Sequence, residues 1–437
     1  MEENYPMQIL SESNPRVERS DCEERAARLK DYVGEVSEMT ARGQYTTPDS
    51  FMVAPFDEAV IQQALGIAAK KGKAALRYVI LVGIGGANLG AQAVYDALYQ
   101  YADLCDLTRA PRLICVDTSH SALLQQITEL IEQRIQSLDE VVVVVSSKSG
   151  GTLETLLNTN AVVRALQTRG DGWQERVVMI SNADTALSAA GKMAGIEVVQ
   201  MPLAVGGRYS VFTAVGLVPL ALCGVDIEGL CEGARRMRAI CLQEESLANP
   251  AIVTATTLHT HWERGVGIAD VFFFNPELES LGKWWRQLMG ESLGKTDPDG
   301  GVTHALVPTV SIGSTDLHSM GQLYLALSHD RFTFFVAAAP GEEGDVDHGE
   351  LLQEPLLAGK GAEELMMAIY QGTQGAYAEV GLPFFSLLLE DVSVQSLGEW
   401  MMWSMMSTIY LARLMGVNAF DQPAVEAYKV RTRQALS

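Results

Sequence analysis

The chain has 437 residues, of which 48% are hydrophobic, and its formal net charge at pH 7 is −22. This length predicts two or three domains or one large two-lobed unit, and the apolar fraction is sufficient for substantial cores. The charge argues against nucleic acid as a partner, because phosphate contacts need clustered lysines and arginines. A phosphorylated small molecule would need a locally positive site, which helix N-termini and a few placed cations can supply.

The cysteines and the apolar segments bear on the cellular compartment. The six cysteines form no C-x-x-C pair and no zinc-type spacing with histidine, so they predict free thiols in a reducing compartment. Residues Met1 to Asn4 lack the basic and apolar regions of a signal peptide. The stretch Tyr209 to Val225 is shorter than the about 20 residues of a membrane span and predicts a buried helix. We expect a soluble, cytoplasmic protein without a membrane partner.

The first half of the chain predicts a helical segment followed by a doubly wound sheet. Residues 1–70 are polar and helical in pattern, with a surface helix expected over Asp21 to Met39. The five consecutive valines at 141–145 are typical of a central parallel strand that is buried on both faces. Strands are predicted at Tyr78–Val82, Arg112–Val116, Val141–Val145, Val177–Ile180 and Glu197–Gln200, and helical patterns lie between them.

A second series of strands and helices follows with the same rhythm. Strands are predicted at Val271–Phe274, Val307–Ile312 and Phe332–Ala337, and helices at Pro276–Leu293, after Ser314, at Leu397–Met415 and from Pro423. The Gly-rich acidic segment Gly341–His348 predicts an exposed loop. The alternation predicts an α/β fold with two doubly wound parallel sheets in three-layer αβα domains, and helical segments at both ends. The predicted domains are 1–70, 71–245 and 246–437.

Ligands of doubly wound sheets bind beyond the carboxyl ends of the strands, where this chain has two distinctive turns. Ser146–Glu154 combines hydroxyls, glycine amides and one lysine at a helix start, which suits a phosphate monoester. The alternative is an ordinary Ser/Gly-rich turn. Gly83–Gly90 is a glycine turn that nucleotide folds share, but the acidic residue of a dinucleotide site does not follow a clear second strand.

Three other segments carry longer motifs. Val205–Thr213 contains G-G-R-Y-S, Gln287–Lys295 reads Q-L-M-G-E-S-L-G-K, and Phe420–Lys429 reads F-D-Q-P-A-V-E-A-Y-K. Together they resemble the motifs G-G-R-[FY]-S, Q-x-x-x-E-S-x-G-K and F-D-Q-x-G-V-E-x-x-K of the phosphoglucose isomerase family, with Ala424 at the usual glycine. The turn at residue 83 is similar to the family's G-I-G-G-S-x-x-G, with Ala87 in place of the serine. The resemblance extends from about residue 75 to 435.

This resemblance implies two sugar isomerase (SIS) domains that interconvert glucose 6-phosphate and fructose 6-phosphate, with no metal or other cofactor. It implies that Glu291, which shares a helix face with Gln287, moves the proton between C1 and C2. Arg208 would stabilise the enediolate, whose oxyanion needs a cation, and His318 and Lys429 would open the sugar ring. In the family the histidine comes from the neighbouring subunit, which implies a homodimer with shared active sites.

The resemblance also supplies the substrate-binding residues. Those implied are Gly86, Ala87, Ser147, Lys148, Ser149, Thr152, Gln287 and Gln422. Because Ala87 lacks the serine hydroxyl, backbone amides of this turn are the donors that remain. Taken alone, Glu291 and Lys429 would be interpreted as surface charges and Arg208 as part of a structural ion pair. His259 and His261 lack the spacing of a helical zinc pair and are predicted to be structural.

Two other functions stay open at this stage. One is an isomerase of the same architecture that also accepts mannose 6-phosphate. The other is a sugar-phosphate-binding SIS protein without catalysis, which Ala87 favours. The joint presence of Glu291, Arg208, His318 and Lys429 favours the enzyme over the binding protein.

Overall fold

The structure is a computed structural model that describes residues 7–13, 17–244, 248–295, 305–327, 330–339 and 354–437. It divides into two compact units: Gly34–Arg238, here called the N-unit, and Met1–Val33 with Ala239–Ser437, here called the C-unit. The domain bounds 1–70, 71–245 and 246–437 stay a prediction. The predicted loop Gly341–His348 lies outside the described residues.

The described ranges alternate strands and helices for most of their length. The strands are β1 Met7–Ser13, β2 Tyr78–Val82, β3 Arg112–Val116, β4 Val141–Ser146, β5 Val177–Ser181, β6 Glu197–Gln200, β7 Ile268–Phe273, β8 Val307–Ile312, β9 Arg331–Ala338 and β10 Phe384–Leu389. The helices are α1 Arg19–Arg42, α2 Glu58–Lys71, α3 Leu89–Cys105, α4 Ser121–Glu129, α5 Leu153–Gln167, α6 Ala186–Met193, α7 Ala214–Leu222, α8 Ile227–Cys241, α9 Pro250–Glu263, α10 Glu279–Leu293, α11 Thr315–Ser319, α12 Gly321–Leu327, α13 Ala362–Glu379, α14 Val394–Leu414 and α15 Glu426–Leu436. None of these helices is both long and apolar enough to cross a membrane.

The N-unit contains a parallel sheet with the strand order β3-β2-β4-β5-β6. Every residue of β4 is buried, as the run of valines predicts. The chain leaves β2 for β3 on one side and then crosses to β4 on the other side. The turns after β2 and β4 therefore diverge at the topological switch point, which is where doubly wound sheets bind their ligands.

The C-unit sheet has the order β1-β10-β9-β7-β8, in which β7 to β10 are parallel. The predicted fold class is confirmed, and β1 adds an antiparallel strand at the edge next to β10. The sequence analysis predicts neither of these two strands. The core on one face of the sheet is aromatic and includes Phe272, Phe335 and Tyr377.

Among the predicted elements that have different limits in the structure are one strand and one helix. Strand β7 begins at Ile268 rather than Val271, because Asp270 is fully buried in the strand and forms an ion pair of 3.3 Å with Arg331. The predicted helix over Tyr209 to Val225 begins only at Ala214. Its N-cap is Thr213, whose hydroxyl accepts a hydrogen bond from the amide of Val215 at 3.3 Å. The apolar residues before this cap belong to the preceding turn.

Candidate functional site

Two of the glycine-containing motifs touch each other in the N-unit. A Cβ atom on Gly86 would lie 2.2 Å from the carbonyl carbon of Gly207, so only glycine allows this approach. The hydroxyl of Ser210 lies 2.7 Å from the carbonyl oxygen of Gly207 and 3.3 Å from that of Gly86. The turn after β2 is therefore held against the segment that carries Arg208. Ala87 lies beside this contact and is half-buried.

The turn after β4 has the form of an anion-binding loop. Helix α5 begins at Leu153 with Thr152 as its N-cap residue, and the first amides of a helix lack intrahelical partners. Gly150 has a φ of +62°, a conformation that favours glycine. Its amide donates to the hydroxyl of Ser147 at 3.2 Å, and the amide of Gly151 donates to the hydroxyl of Ser149 at 3.3 Å. The loop gathers hydroxyls and amides at a helix N-terminus.

Two cations lie at the same end of the N-unit. The ammonium group of Lys148 donates to the carbonyl oxygen of Val205 at 3.0 Å, and Arg208 is buried three residues later. Burial lowers the pKa of Lys148, and the charge of Arg208 lowers it further. An anionic ligand would relieve this repulsion. The place is thus locally positive within a chain of net charge −22, as a phosphorylated ligand would require.

The sequence analysis misses Asn88, which follows the same glycine turn. Its amide nitrogen lies 3.5 Å from a carboxylate oxygen of Asp117. Its Oδ1 atom is buried and has no hydrogen-bond partner among the described residues. A buried oxygen of this kind is costly to leave without a partner. The only signal in the sequence was its place at the end of the turn.

In the C-unit, the structure pairs Gln287 with Glu291 on helix α10. The amide nitrogen of Gln287 donates to a carboxylate oxygen of Glu291 at 2.9 Å, and both residues are half-buried. Trp284, Leu288 and Met289 bury other faces of the helix. This packing fixes the helix, and the hydrogen bond from Gln287 holds the carboxylate of Glu291 in one orientation.

Lys295 is a second residue to which the sequence analysis gives no role, although the motif that contains Glu291 ends on it. Its ammonium group donates to the backbone oxygen of Glu291 at 2.7 Å. It also forms an ion pair of 3.0 Å with a carboxylate oxygen of Asp421, the residue before Gln422. The motif segments at 287–295 and 420–429 are therefore in contact within the C-unit.

The two ring-opening candidates lie on other elements of this unit. His318 is exposed on α11, which follows β8. Lys429 lies on α15 and donates to a carboxylate oxygen of Glu426 at 2.7 Å. Within the described part of the chain, no group of three or more histidines, cysteines and carboxylates is arranged to hold a metal ion.

Comparisons with known proteins agree with the motifs. The family profile described as phosphoglucose isomerase matches residues 56–436. A glucose-6-phosphate isomerase of Methanocaldococcus jannaschii is 30% identical over 352 residues, which cover 80% of this chain and 82% of that protein. One of Thermus thermophilus is 32% identical over 365 residues, which cover 82% and 83%.

Solved structures share the fold over nearly the whole chain. A hypothetical protein from Thermus thermophilus matches with a TM-score of 0.84 and 27% identity, covering 98% of this chain and 99% of that one. A glucose-6-phosphate isomerase from Chlamydia trachomatis matches with a TM-score of 0.76 and 20% identity, covering 98% and 87%. At this identity the second match concerns the fold alone.

Proposed function

The chain belongs to the phosphoglucose isomerase family, and we propose that Glu291 is the base with which it interconverts glucose 6-phosphate and fructose 6-phosphate. The observation that carries this assignment is the 2.9 Å hydrogen bond from Gln287, which aims the carboxylate of Glu291. A general base must be held in a fixed position relative to the carbon acid. The packing of α10 and this hydrogen bond meet that requirement.

The reaction moves hydrogen between two adjacent carbons. The carboxylate of Glu291 takes the proton from C2 of the open-chain aldose, and the electrons of that bond form the C1–C2 double bond of an enediolate. At the same time the electrons of the carbonyl double bond move to O1. Glu291 then returns the proton to C1, and the hydroxyl proton of O2 moves to O1, which gives the ketose. Negative charge develops on oxygen at the intermediate, and Arg208 is the cation that stabilises it.

The phosphate group of the substrate binds to the loop after β4 in this proposal. The hydroxyls of Ser147, Ser149 and Thr152, the ammonium of Lys148 and the first amides of α5 supply donors and positive charge. The depressed pKa of Lys148 supports this role, because a phosphate would offset the repulsion between Lys148 and Arg208.

Groups near the sugar complete the proposed site. The backbone amides of Gly86 and Ala87, with the amides of Gln287 and Gln422, bind its hydroxyls. His318 and Lys429 act as the acid–base pair that opens the ring.

The assembly proposed is a homodimer in which His318 serves the site of the partner chain. The exposure of this histidine on α11 supports the idea, because a second chain could reach it. A cytoplasmic location is also proposed, on the support that all six cysteines are free thiols.

A coupled assay for fructose 6-phosphate, run with exchange of the C2 hydrogen in deuterated water, tests the function. The wild-type protein should be active in both. Glu291→Gln should lose at least about 10²–10⁴-fold in both, because a positioned base contributes that much. Wild-type turnover by this folded variant would remove Glu291 from the mechanism.

A further inference from the structure

Lys295 links the end of helix α10 to the segment around Asp421 within the C-unit. It follows Gly294, the C-cap residue of α10, and its ammonium group donates to the backbone oxygen of Glu291 at 2.7 Å. The same group donates to the backbone oxygen of Asp421 and lies 3.0 Å from its carboxylate. The side chain of Lys295 is only 9% exposed, whereas that of Asp421 is 50% exposed, so the lysine end of the contact is buried and the carboxylate end faces solvent.

The segment at the other end of the link is itself ordered. The side-chain nitrogen Nδ2 of Asn418 donates to the second carboxylate oxygen of Asp421 at 3.2 Å. The side-chain oxygen of Asn418 accepts from the amide of Phe420 at 2.9 Å. The turn over residues 418–421 is therefore closed on itself, and Lys295 connects it to the end of α10. Gln422 comes next in the chain.

A helix-capping function explains only part of this arrangement. A cation at a helix C-terminus binds carbonyl oxygens that lack intrahelical partners and interacts well with the helix dipole. It needs no carboxylate from a segment 126 residues away. Helix α10 is also held independently, since the sulfur of Met289 accepts a hydrogen bond from Thr408 at 3.3 Å and nine of its residues are buried. Removal of Lys295 should therefore release the 418–421 turn and leave the helix in place.

We propose that Lys295 is a positioning residue, which fixes Gln422 and the start of the segment leading to Lys429 relative to Glu291. The proposal rests on the roles proposed above for Glu291 and Lys429. Lys295 acts through Asp421 and need not touch the substrate. Its loss should impair ring opening, which depends on the C-terminal segment, more than proton abstraction, which depends on α10.

Two substrates separate these steps. Glucose 6-phosphate is cyclic and must be opened, whereas a four-carbon aldose 4-phosphate cannot close a furanose ring because its O4 carries the phosphate. For Lys295→Met we expect turnover of glucose 6-phosphate to fall about 10²-fold, the loss that a displacement of about 1 Å can cause. Exchange of the C2 hydrogen of the four-carbon substrate in deuterated water should be largely retained.

Four further variants test the proposal. Lys283→Met removes a lysine on the same helix whose ion pair with Glu279, at 2.9 Å, is exposed, and it should keep both activities. Lys295→Arg should recover most of the lost turnover, because a guanidinium can donate to the same oxygens. Asp421→Ala should also lower turnover of glucose 6-phosphate more than exchange on the four-carbon substrate. The double variant with Lys295→Met should lose little more turnover of glucose 6-phosphate than either single variant.

A merely structural role would lower both activities equally, and additive losses in the double variant would show that Lys295 and Asp421 act separately. Either result would overturn the proposal. Failure of the proposed function has a different signature, because Glu291→Gln would then retain exchange on the four-carbon substrate.

Discussion

Arg25 donates a hydrogen bond from Nε to Nδ1 of His259 at 3.2 Å, which joins helix α1 to helix α9 within the C-unit. Since Nδ1 is the acceptor, the imidazole is neutral in this contact. His259 is only 2% exposed, and Arg25 also forms an ion pair with Glu263 one turn later on α9. A buried neutral histidine beside an arginine makes stability depend on pH.

The stability of the C-unit should fall below about pH 6.5, the ordinary pKa of histidine. Burial lowers the pKa of His259, and Arg28 and Arg25 lower it further against the opposite effect of Glu263. In the unfolded chain His259 therefore binds a proton near pH 6.5, whereas in the folded chain it binds one only at lower pH. The contribution of His259 is fully present above that pH and is lost as the pH falls towards the folded pKa.

Urea unfolding at pH 7.5 and at pH 5.5 measures this dependence. In His259→Asn the side-chain oxygen can still accept from Arg25 but does not titrate, so the variant should lose less stability between the two pH values. The loss that the wild type shows in excess of the variant is at most about 1.4 kcal/mol, because pH 5.5 lies one unit below the unfolded pKa of about 6.5. His120→Asn, at an exposed histidine of the N-unit, is the control and should behave as wild type. Equal losses in all three proteins would show that other groups cause the acid sensitivity.

Gly86→Ala should destabilise the N-unit and weaken substrate binding. The new Cβ would meet backbone atoms of Gly207 at 2.2 Å, and backbone cannot move aside as a side chain can. Overpacking of this kind costs about 1–3 kcal/mol. The free energy of unfolding and the affinity for a phosphosugar inhibitor should both decrease.

Gly66→Ala is the matched control on helix α2 of the same unit. A Cβ atom there has nothing within 4 Å, and alanine should stabilise the helix by about 0.5–1 kcal/mol relative to glycine. If Gly86→Ala bound the inhibitor as tightly as wild type, the contact between the two turns would not shape the site.

The sequence is most informative where the chemistry is local. The five consecutive valines at 141–145 predict a buried strand, because a run of apolar β-branched residues needs burial whatever its neighbours are. The turns that carry Gly86 and Lys148 are predictable because glycines and hydroxyls act through their own backbone. Strand β10 reads F-F-S-L-L-L, and periodicity cannot distinguish so short an apolar run from part of a buried helix.

Relationships between distant segments escape this kind of prediction. Strand β1 reads M-Q-I-L-S-E-S and gains its pairing from β10, where Met7 lies opposite Leu389. Asp270 interrupts the apolar pattern of β7 because its partner, Arg331, comes from another strand. The link between Lys295 and Asp421 is of the same type. Each depends on a partner that the local sequence does not specify.

Ala87→Ser should be tolerated and should tighten the binding of a phosphosugar inhibitor. The residue is half-buried at the turn after β2, where the phosphoglucose isomerase family has a serine. One added hydrogen bond to a charged group contributes at most about 1.5–3 kcal/mol. Inhibition constants for the two proteins measure the effect. Weaker binding by the serine variant would mean that this turn has a shape adapted to alanine.

A homodimer of His318→Ala chains should be inactive on glucose 6-phosphate. Activity should return when a His318→Ala chain pairs with a chain that carries Glu291→Gln. If His318 serves the site of the partner chain, a heterodimer of the two variants has one site that contains both the histidine and the glutamate. Co-expression with two affinity tags isolates this heterodimer, and the coupled assay measures its turnover.

The reciprocal heterodimer decides between the two arrangements. It combines a wild-type chain with a chain that carries both substitutions. With shared sites, each of its two sites lacks one of the residues, so it should be inactive, whereas the heterodimer of single variants is active. If both residues act within one chain, the pattern is reversed, because the wild-type chain keeps a complete site and the two single variants cannot complement each other. Activity in the second heterodimer only would therefore place His318 in the same chain as the Glu291 it serves, and the dimer would then not be required for ring opening.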